Sequence, residues 1–265
     1  MELTGRRTLL TGASGGIGNA IARALHERGA TVAITGRRAD ALNALASELG
    51  QRVEVLPADL AVRESVADLV ERVGDVDVLV ANAALPASGW LDSFTPEEID
   101  RALDVNLRAP VQLARALAPG MVERGEGHFV FIASMAGKVA NAGGSVYSAT
   151  KFGVRGFAAA LRDELRDDGV GVTTIFPGFI RGAGMFADTG MKLPQGTGTK
   201  TPEQVAAAVL RGIERNRAEI DVAPLSMKSS AWFAGVNPNA VSLLARRFGS
   251  LRVAEELGEK QRGKR

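Results

Sequence analysis

Two rhythms run along this chain: short unbroken apolar runs, and longer stretches whose apolar positions recur at helical spacing. RRTLLTG (6–12) opens the series as a strand. The stretch after it places Ile17, Ile21, Ala24 and Leu25 on one face and meets a stop signal at Gly29, which predicts a helix. Further strand-like runs lie at 31–36, 52–58, 76–82, 127–134, 170–176 and 218–223. Between them fall a helical pattern over 39–49 and a helix ending near Val73. A long amphipathic helix follows from Glu97 to Arg124, then a helix carrying Tyr147 and ending near Gly169, and a helix opened by Thr201-Pro202-Glu203. Strands alternating with helices predict an α/β fold, a doubly wound parallel sheet of about seven strands with helices on both faces. Ligands bind such sheets beyond the carboxyl ends of the strands.

Composition narrows the function classes. At 265 residues, 46% hydrophobic and 23% charged, the chain suits an ordinary globular domain. It has no run of eighteen apolar residues, so no transmembrane helix is expected. MELTGRR lacks the apolar core of a secretory signal, and a cytoplasmic location is expected. Without cysteine, disulfides and thiol chemistry are excluded. His26 and His128 have no partners at metal-ligand spacing, so both read as structural or solvated and no metal is expected. A net charge of +2 gives no argument for nucleic acid.

Candidate chemistry begins at the first strand-to-helix turn. In Thr11–Gly18, TGASGGIG, glycines at 12, 16 and 18 let the backbone turn tightly and approach a pyrophosphate at the positive end of the helix. Further on, Tyr147 and Lys151 are four residues apart in YSATK, thirteen residues after Ser134. At that spacing they share a helix face. An ammonium beside a phenol favours the phenolate, so Tyr147 is expected to exchange its proton closer to neutrality than the reference value of about 10. That suits a proton donor to a ketone or a base for an alcohol.

Thr11–Gly18, Asn82-Ala-Ala, Asn106, Ser134, Tyr147-x-x-x-Lys151 and Pro177-Gly178, in this order, resemble the motifs of single-domain short-chain dehydrogenases/reductases over about residues 5–225. The resemblance implies a Rossmann-like fold and hydride transfer between a nicotinamide dinucleotide and a carbonyl compound or secondary alcohol. It makes Tyr147 the proton donor, Ser134 a hydrogen-bond donor to the substrate oxygen, and Lys151 the ligand of the nicotinamide ribose that lowers the tyrosine's pKa. Asn106 becomes the holder of a water linking Lys151 to solvent; the alternative is a helix residue satisfying a local carbonyl. Gly12, Ser14, Gly16, Ile17 and Gly18 would hold the cofactor, Asp59-Leu60 would meet the adenine amine, and Asn82 would lie near its ribose. Pro177, Gly178 and Ile180 would orient the nicotinamide. A non-catalytic dinucleotide sensor and a sugar-nucleotide epimerase are the alternative functions.

Thr35-Gly36-Arg37-Arg38 follows the second strand with no carboxylate before Asp40. A guanidinium at Arg37 suits a ribose 2′-phosphate, which favours NADP over NAD; Arg38 reads as a solvated charge at a helix start. Residues 179–200 hold five glycines and read as a substrate lid, part of a domain spanning 1–225. Phe179, Met185, Phe186, Met191 and Leu193 either line an apolar pocket or pack the lid down. Ala140, Asn141, Ala142 and Val146 are expected to form another wall, and the substrate to be a hydrophobic carbonyl compound. Residues 226–265 form a basic, helical C-terminal extension with Leu243, Leu244, Phe248 and Leu251 at helical spacing. Its three readings are a docked helix, an oligomer contact and a contact with an anionic membrane surface. The resemblance also implies a homodimer or homotetramer packed through the helices at 97–124 and 147–168.

Overall fold

A computed structural model describes residues 1–191, 198–247 and 250–264. Its strands are β1 (Arg7–Thr11), β2 (Thr31–Thr35), β3 (Val53–Val55), β4 (Val78–Ala81), β5 (Gly127–Ile132), β6 (Val170–Pro177) and β7 (Glu219–Val222). They pair in parallel in the order β3-β2-β1-β4-β5-β6-β7. The helices are α1 (Gly16–Glu27), α2 (Ala39–Leu49), α3 (Arg63–Val73), α4 (Pro96–Leu103), α5 (Ala109–Glu123), α6 (Ser145–Glu164) and α7 (Pro202–Arg215). The C-terminal extension adds α8 (Leu225–Val236), α9 (Pro238–Arg247) and α10 (Ser250–Gln261).

β4, β5 and β6 are buried from end to end, which explains their unbroken apolar sequences: a strand covered on both faces has no solvent side to alternate with. Successive side chains feed opposite layers. Leu9, Leu79, Phe129 and Phe131 pack with α3, α5 and α6, whereas Leu10, Val78, Val80 and Val130 pack with α1, α2 and α7. The edge strands β3 and β7 are less buried.

From β1 the chain winds outward to β3 and then returns to β4 on the other side of β1. Connections therefore leave the carboxyl ends of β1 and β4 in opposite directions, and a crevice opens between them. Gly12 and Asn82 stand at those two ends.

The helix expected over 97–124 is interrupted. A wider π turn at Asp104–Arg108 separates α4 from α5, and the Ala109 N–H bonds back to the Asp104 carbonyl. Pro110 follows the turn and brings no N–H to the Asn106 carbonyl four residues earlier, so one regular α bond is missing there. No helix among the described residues is long and apolar enough to cross a membrane.

Candidate active site

Ser134 leaves the end of β5 and Tyr147 and Lys151 stand one turn apart on α6; all three line a cavity of about 700 Å³. Lys151 is 2% exposed and donates Nζ to the Ile132 carbonyl at 3.0 Å. The same ammonium lies 5.6 Å from the Tyr147 ring centroid. Ser134 Oγ accepts from the Ala136 N–H at 3.1 Å, which holds the hydroxyl at the cavity floor.

The electrostatics differ from the expectation of a tyrosine titrating closer to neutrality. Burial pushes the Tyr147 phenol up to about 12, and a hydrogen bond with Ser134 only partly offsets it. Burial also pushes the Lys151 ammonium down to about 8. Desolvation of the phenolate outweighs an ammonium at this separation. Tyr147 keeps part of its surface open to the cavity.

The glycine-rich turn runs from β1 into α1. Gly12 has a φ of +68°, and a Cβ there would fall 2.8 Å from the Ala83 Cα. A Cβ on Gly18 would fall 2.2 Å from the Gly12 carbonyl oxygen. Helices α4 and α7 close their first turns with side-chain capping boxes, Thr95 with Glu98 and Thr201 with Gln204. At α1, by contrast, Gly15 offers no capping side chain and the first turn holds no acid. Its leading N–H groups are thus directed into the crevice as an anion cradle.

The chain wall facing this cradle is the segment after β6. Gly178 N–H donates to the Val222 carbonyl at 3.0 Å, and Ile180 pairs with Lys200 in a short parallel bridge. Arg181 N–H donates to the Lys200 carbonyl and Lys200 N–H to the Phe179 carbonyl, each at 2.9 Å. Arg181 Nη1 adds bonds to the Thr199 carbonyl at 3.2 Å and its hydroxyl at 3.1 Å. The chain is therefore tied where it leaves at 180–181 and where it returns at 199–200.

Residues 6–193 match the family model described as short chain dehydrogenase. The chain belongs to the short-chain dehydrogenase family. It is 36% identical over 260 residues to the ketoacyl reductase HetN of Nostoc sp. (strain PCC 7120 / SAG 25.82 / UTEX 2576), covering 93% of this chain and 90% of that protein. A solved short-chain dehydrogenase from Sphingobium yanoikuyae in complex with NADPH superposes with a TM-score of 0.77 at 30% identity, covering 93% of this chain and 95% of that one. The 3-ketoacyl-(acyl-carrier-protein) reductase from Brucella melitensis complexed with NADH gives 0.75 at 27% identity, covering 83% and 97%. This short-chain dehydrogenase is accordingly an NAD(P)-dependent oxidoreductase that interconverts carbonyl and alcohol groups.

The residues present fit a nicotinamide dinucleotide: an uncapped helix start, glycines too crowded for any Cβ, and a cavity continuing to Tyr147. Ile17, Asn82, Pro177, Gly178 and Ile180 line that cavity with Ser134, Tyr147 and Lys151. Gly12, Ser14, Gly16 and Gly18 form the turn beside it, while Arg37, Asp59 and Leu60 stand farther along the crevice at the ends of β2 and β3. Leu60 is buried, and Asp59 Oδ1 accepts from the Ala61 N–H at 3.0 Å.

Two asparagines do structural work that their expected ligand contacts do not describe. Asn82 Nδ2 donates to the Thr11 and Gly12 carbonyls at 3.0 and 3.2 Å, tying β4 to the glycine turn. Asn106 Oδ1 accepts from the Leu85 N–H and its Nδ2 donates to the Leu85 carbonyl, so its side chain serves local backbone groups. Its side chain is thereby committed to Leu85.

Several residues escaped sequence reasoning. Thr11 Oγ1 accepts from the Asn82 and Ala83 N–H groups at 3.0 Å each. Arg38, exposed as expected of a solvated charge, also donates Nη2 to the Ser14 carbonyl at 2.5 Å; Arg37 is exposed as well. Val253, Ala254, Leu257 and Gln261 of α10 also line the cavity. Buried Gln261 donates to the Met185 carbonyl at 3.4 Å, and close glycine contacts seat the helix, Gly258 on Gly89 and Ala254 on Gly143.

Of the expected apolar lining, Phe179, Met185 and Phe186 face the cavity, and the rings of Phe179 and Phe186 lie 4.9 Å apart. Met191 is buried away from it. Asn141 and Ala142 form wall as expected, but Val146 packs instead with Ala87 and Ala102 behind Tyr147. Ala140 is not among the lining residues. Leu193, Phe248 and the Leu244 side chain lie outside the described residues. The single tail stripe is broken across α9 and α10, and Leu243 is exposed.

Proposed function

We propose that this oxidoreductase reduces hydrophobic carbonyl compounds with NADPH, the reading supported above all by Tyr147, Ser134 and Lys151 lining a cavity whose wall is mostly apolar. When bound, the dinucleotide supplies the hydride. Tyr147 gives its phenolic proton to the carbonyl oxygen as negative charge builds there, and takes it back from the hydroxyl in the reverse direction. Ser134 offers a fixed dipole to the same oxygen. Lys151 holds the nicotinamide ribose and supplies positive charge beside the phenol. The uncapped start of α1, with Gly12, Ser14, Gly16, Ile17 and Gly18, holds the pyrophosphate. Asp59 and Leu60 receive the adenine, and Asn82 fixes the turn that carries it.

Preference for NADP rests on Arg37, an exposed cation at the end of β2 with no acid before Asp40. Relatives in complex with both NADPH and NADH leave the choice to such local chemistry. The ketoacyl reductase among the relatives supports a carbonyl substrate, and Phe179, Met185 and Phe186 support an apolar one. We also favour a cytoplasmic homo-oligomer packed through α5 and α6, where Phe152 is 41% exposed.

Two measurements test this reading. Tyr147→Phe should lower kcat by about a thousandfold with dinucleotide affinity within a few-fold of wild type; full turnover in that variant refutes the mechanism. Fluorescence titration should show tighter NADPH than NADH binding, with the difference lost in Arg37→Ala. Equal binding in the wild type refutes the NADP preference and leaves the chemistry intact.

A further inference from the structure

Helix α8 contains no buried residue. Leu225 is 80% exposed, Trp232 68%, Phe233 57% and Val236 74%, and Leu243 on α9 is 73% exposed. At 100° per residue, Trp232 and Val236 lie within about 20° of Leu225 around the helix. Phe233 extends the same face, with its ring edge-on to Trp232 at 5.0 Å. Single exposed apolar residues are ordinary on protein surfaces; a contiguous aromatic and aliphatic face signals a partner.

The opposite side of α8 belongs to the site. Met227 and Ser230, about 200° and 140° around the helix from Leu225, line the cavity, as does Val241 of α9. One thin wall thus separates the apolar surface from the space in which Tyr147 stands.

Charge selects the partner. Across α8 and α9, from Leu225 to Arg247, the sequence holds Lys228, Arg246 and Arg247, and no Asp or Glu. Two copies meeting through this segment would bring like charges together with no carboxylate in it to pair them. An anionic bilayer satisfies both properties. Trp and Phe favour the interfacial region, and each Lys or Arg close to such a surface contributes about 1 kcal/mol.

We propose that the outer face of α8 and the adjoining α9 docks this enzyme on an anionic membrane surface, and that apolar substrate passes from the bilayer into the cavity beneath. The docking half stands on the surface alone, whereas the delivery half rests on the hydrophobic substrate proposed above.

The test uses the full chain in vesicle flotation. The protein should float with vesicles of equal parts phosphatidylcholine and phosphatidylglycerol, and stay behind with pure phosphatidylcholine. The triple substitution Trp232→Ser, Phe233→Ser, Val236→Ser should abolish flotation while keeping the wild-type Tm and the wild-type turnover of a short water-soluble ketone. Failure of the wild type to float, or undiminished flotation of the variant, overturns docking. If the variant instead converts a dimer to a monomer and the wild type does not float, the face belongs to a second copy and the proposal falls. For delivery, turnover of a long-chain ketone dissolved in anionic vesicles should drop at least tenfold in the variant; an unchanged rate overturns that half. Absence of turnover with either ketone in the wild type counts against both the substrate reading and delivery, while flotation still decides docking.

Discussion

Asn106 binds both backbone groups of Leu85, accepting its N–H at 2.6 Å and donating to its carbonyl at 3.0 Å. The bonds span twenty-one residues and join the π turn to the loop after β4. Asn106 is 1% exposed, so no water can replace the lost partner directly.

Asn106→Ala should therefore destabilise the protein by about 2–4 kcal/mol, because two buried backbone groups lose their partners. In a chain of this size that lowers Tm by very roughly 5–15 °C. Thermal unfolding checks it.

Arg38 and Arg37 should behave differently on truncation. Arg38 reaches the glycine turn through the Ser14 carbonyl, so Arg38→Ala should weaken NADH and NADPH together, by about tenfold for a charge-assisted bond. Arg37→Ala should weaken NADPH alone. Paired fluorescence titrations of both variants separate turn positioning from phosphate recognition.

Gly18→Ala should abolish dinucleotide binding while the sheet persists. The new methyl group would lie 2.2 Å from the Gly12 carbonyl oxygen and 2.8 Å from the Ala13 Cα, so the turn must open. Isothermal titration with NADPH, alongside far-UV circular dichroism, reads the two effects separately.

His128 sets an acid limit. It is 2% exposed, donates Nε2–H to Thr173 Oγ1 at 2.8 Å, and that hydroxyl in turn donates to the Arg217 carbonyl at 2.6 Å. Burial first, then the positive charges of the N-terminus and Arg162, push its pKa down to about 3 from an ordinary 6.5. The folded imidazole stays neutral while the unfolded one gains a proton, so stability is complete above about pH 6.5 and falls as the pH drops toward 3. The full loss reaches up to about 5 kcal/mol. His128→Gln should flatten the Tm profile between about pH 6 and pH 4 relative to wild type.

The sheet was legible because its central strands are buried on both faces, which leaves apolar runs that no amphipathic helix imitates. The placement of the proposed catalytic pair was legible because Tyr147 and Lys151 lie on one helix, where spacing alone fixes their neighbourhood. What escaped depends on contacts between distant segments. Arg37 and Arg38 are adjacent and chemically equal, and only the path of the glycine turn decides which one reaches Ser14. The position of α10 follows from Gly258 and Ala254 fitting against Gly89 and Gly143, small-residue contacts without periodic signature. The π turn did leave a trace, the proline at 110, which a periodicity search reads as one more helical position.

The bridge between Ile180 and Lys200 separates two kinds of inheritance in this chain. The residues proposed for the reaction lie outside that clasp, and the chain leaves at 180 and returns at 200 with those ends already joined. Lengthening a loop whose ends are held costs little, because closure entropy grows only with the logarithm of its length. The segment is therefore an interchangeable cassette: a stretch from a relative, cut at 180 and 200, should bring a new substrate range into an unaltered catalytic frame.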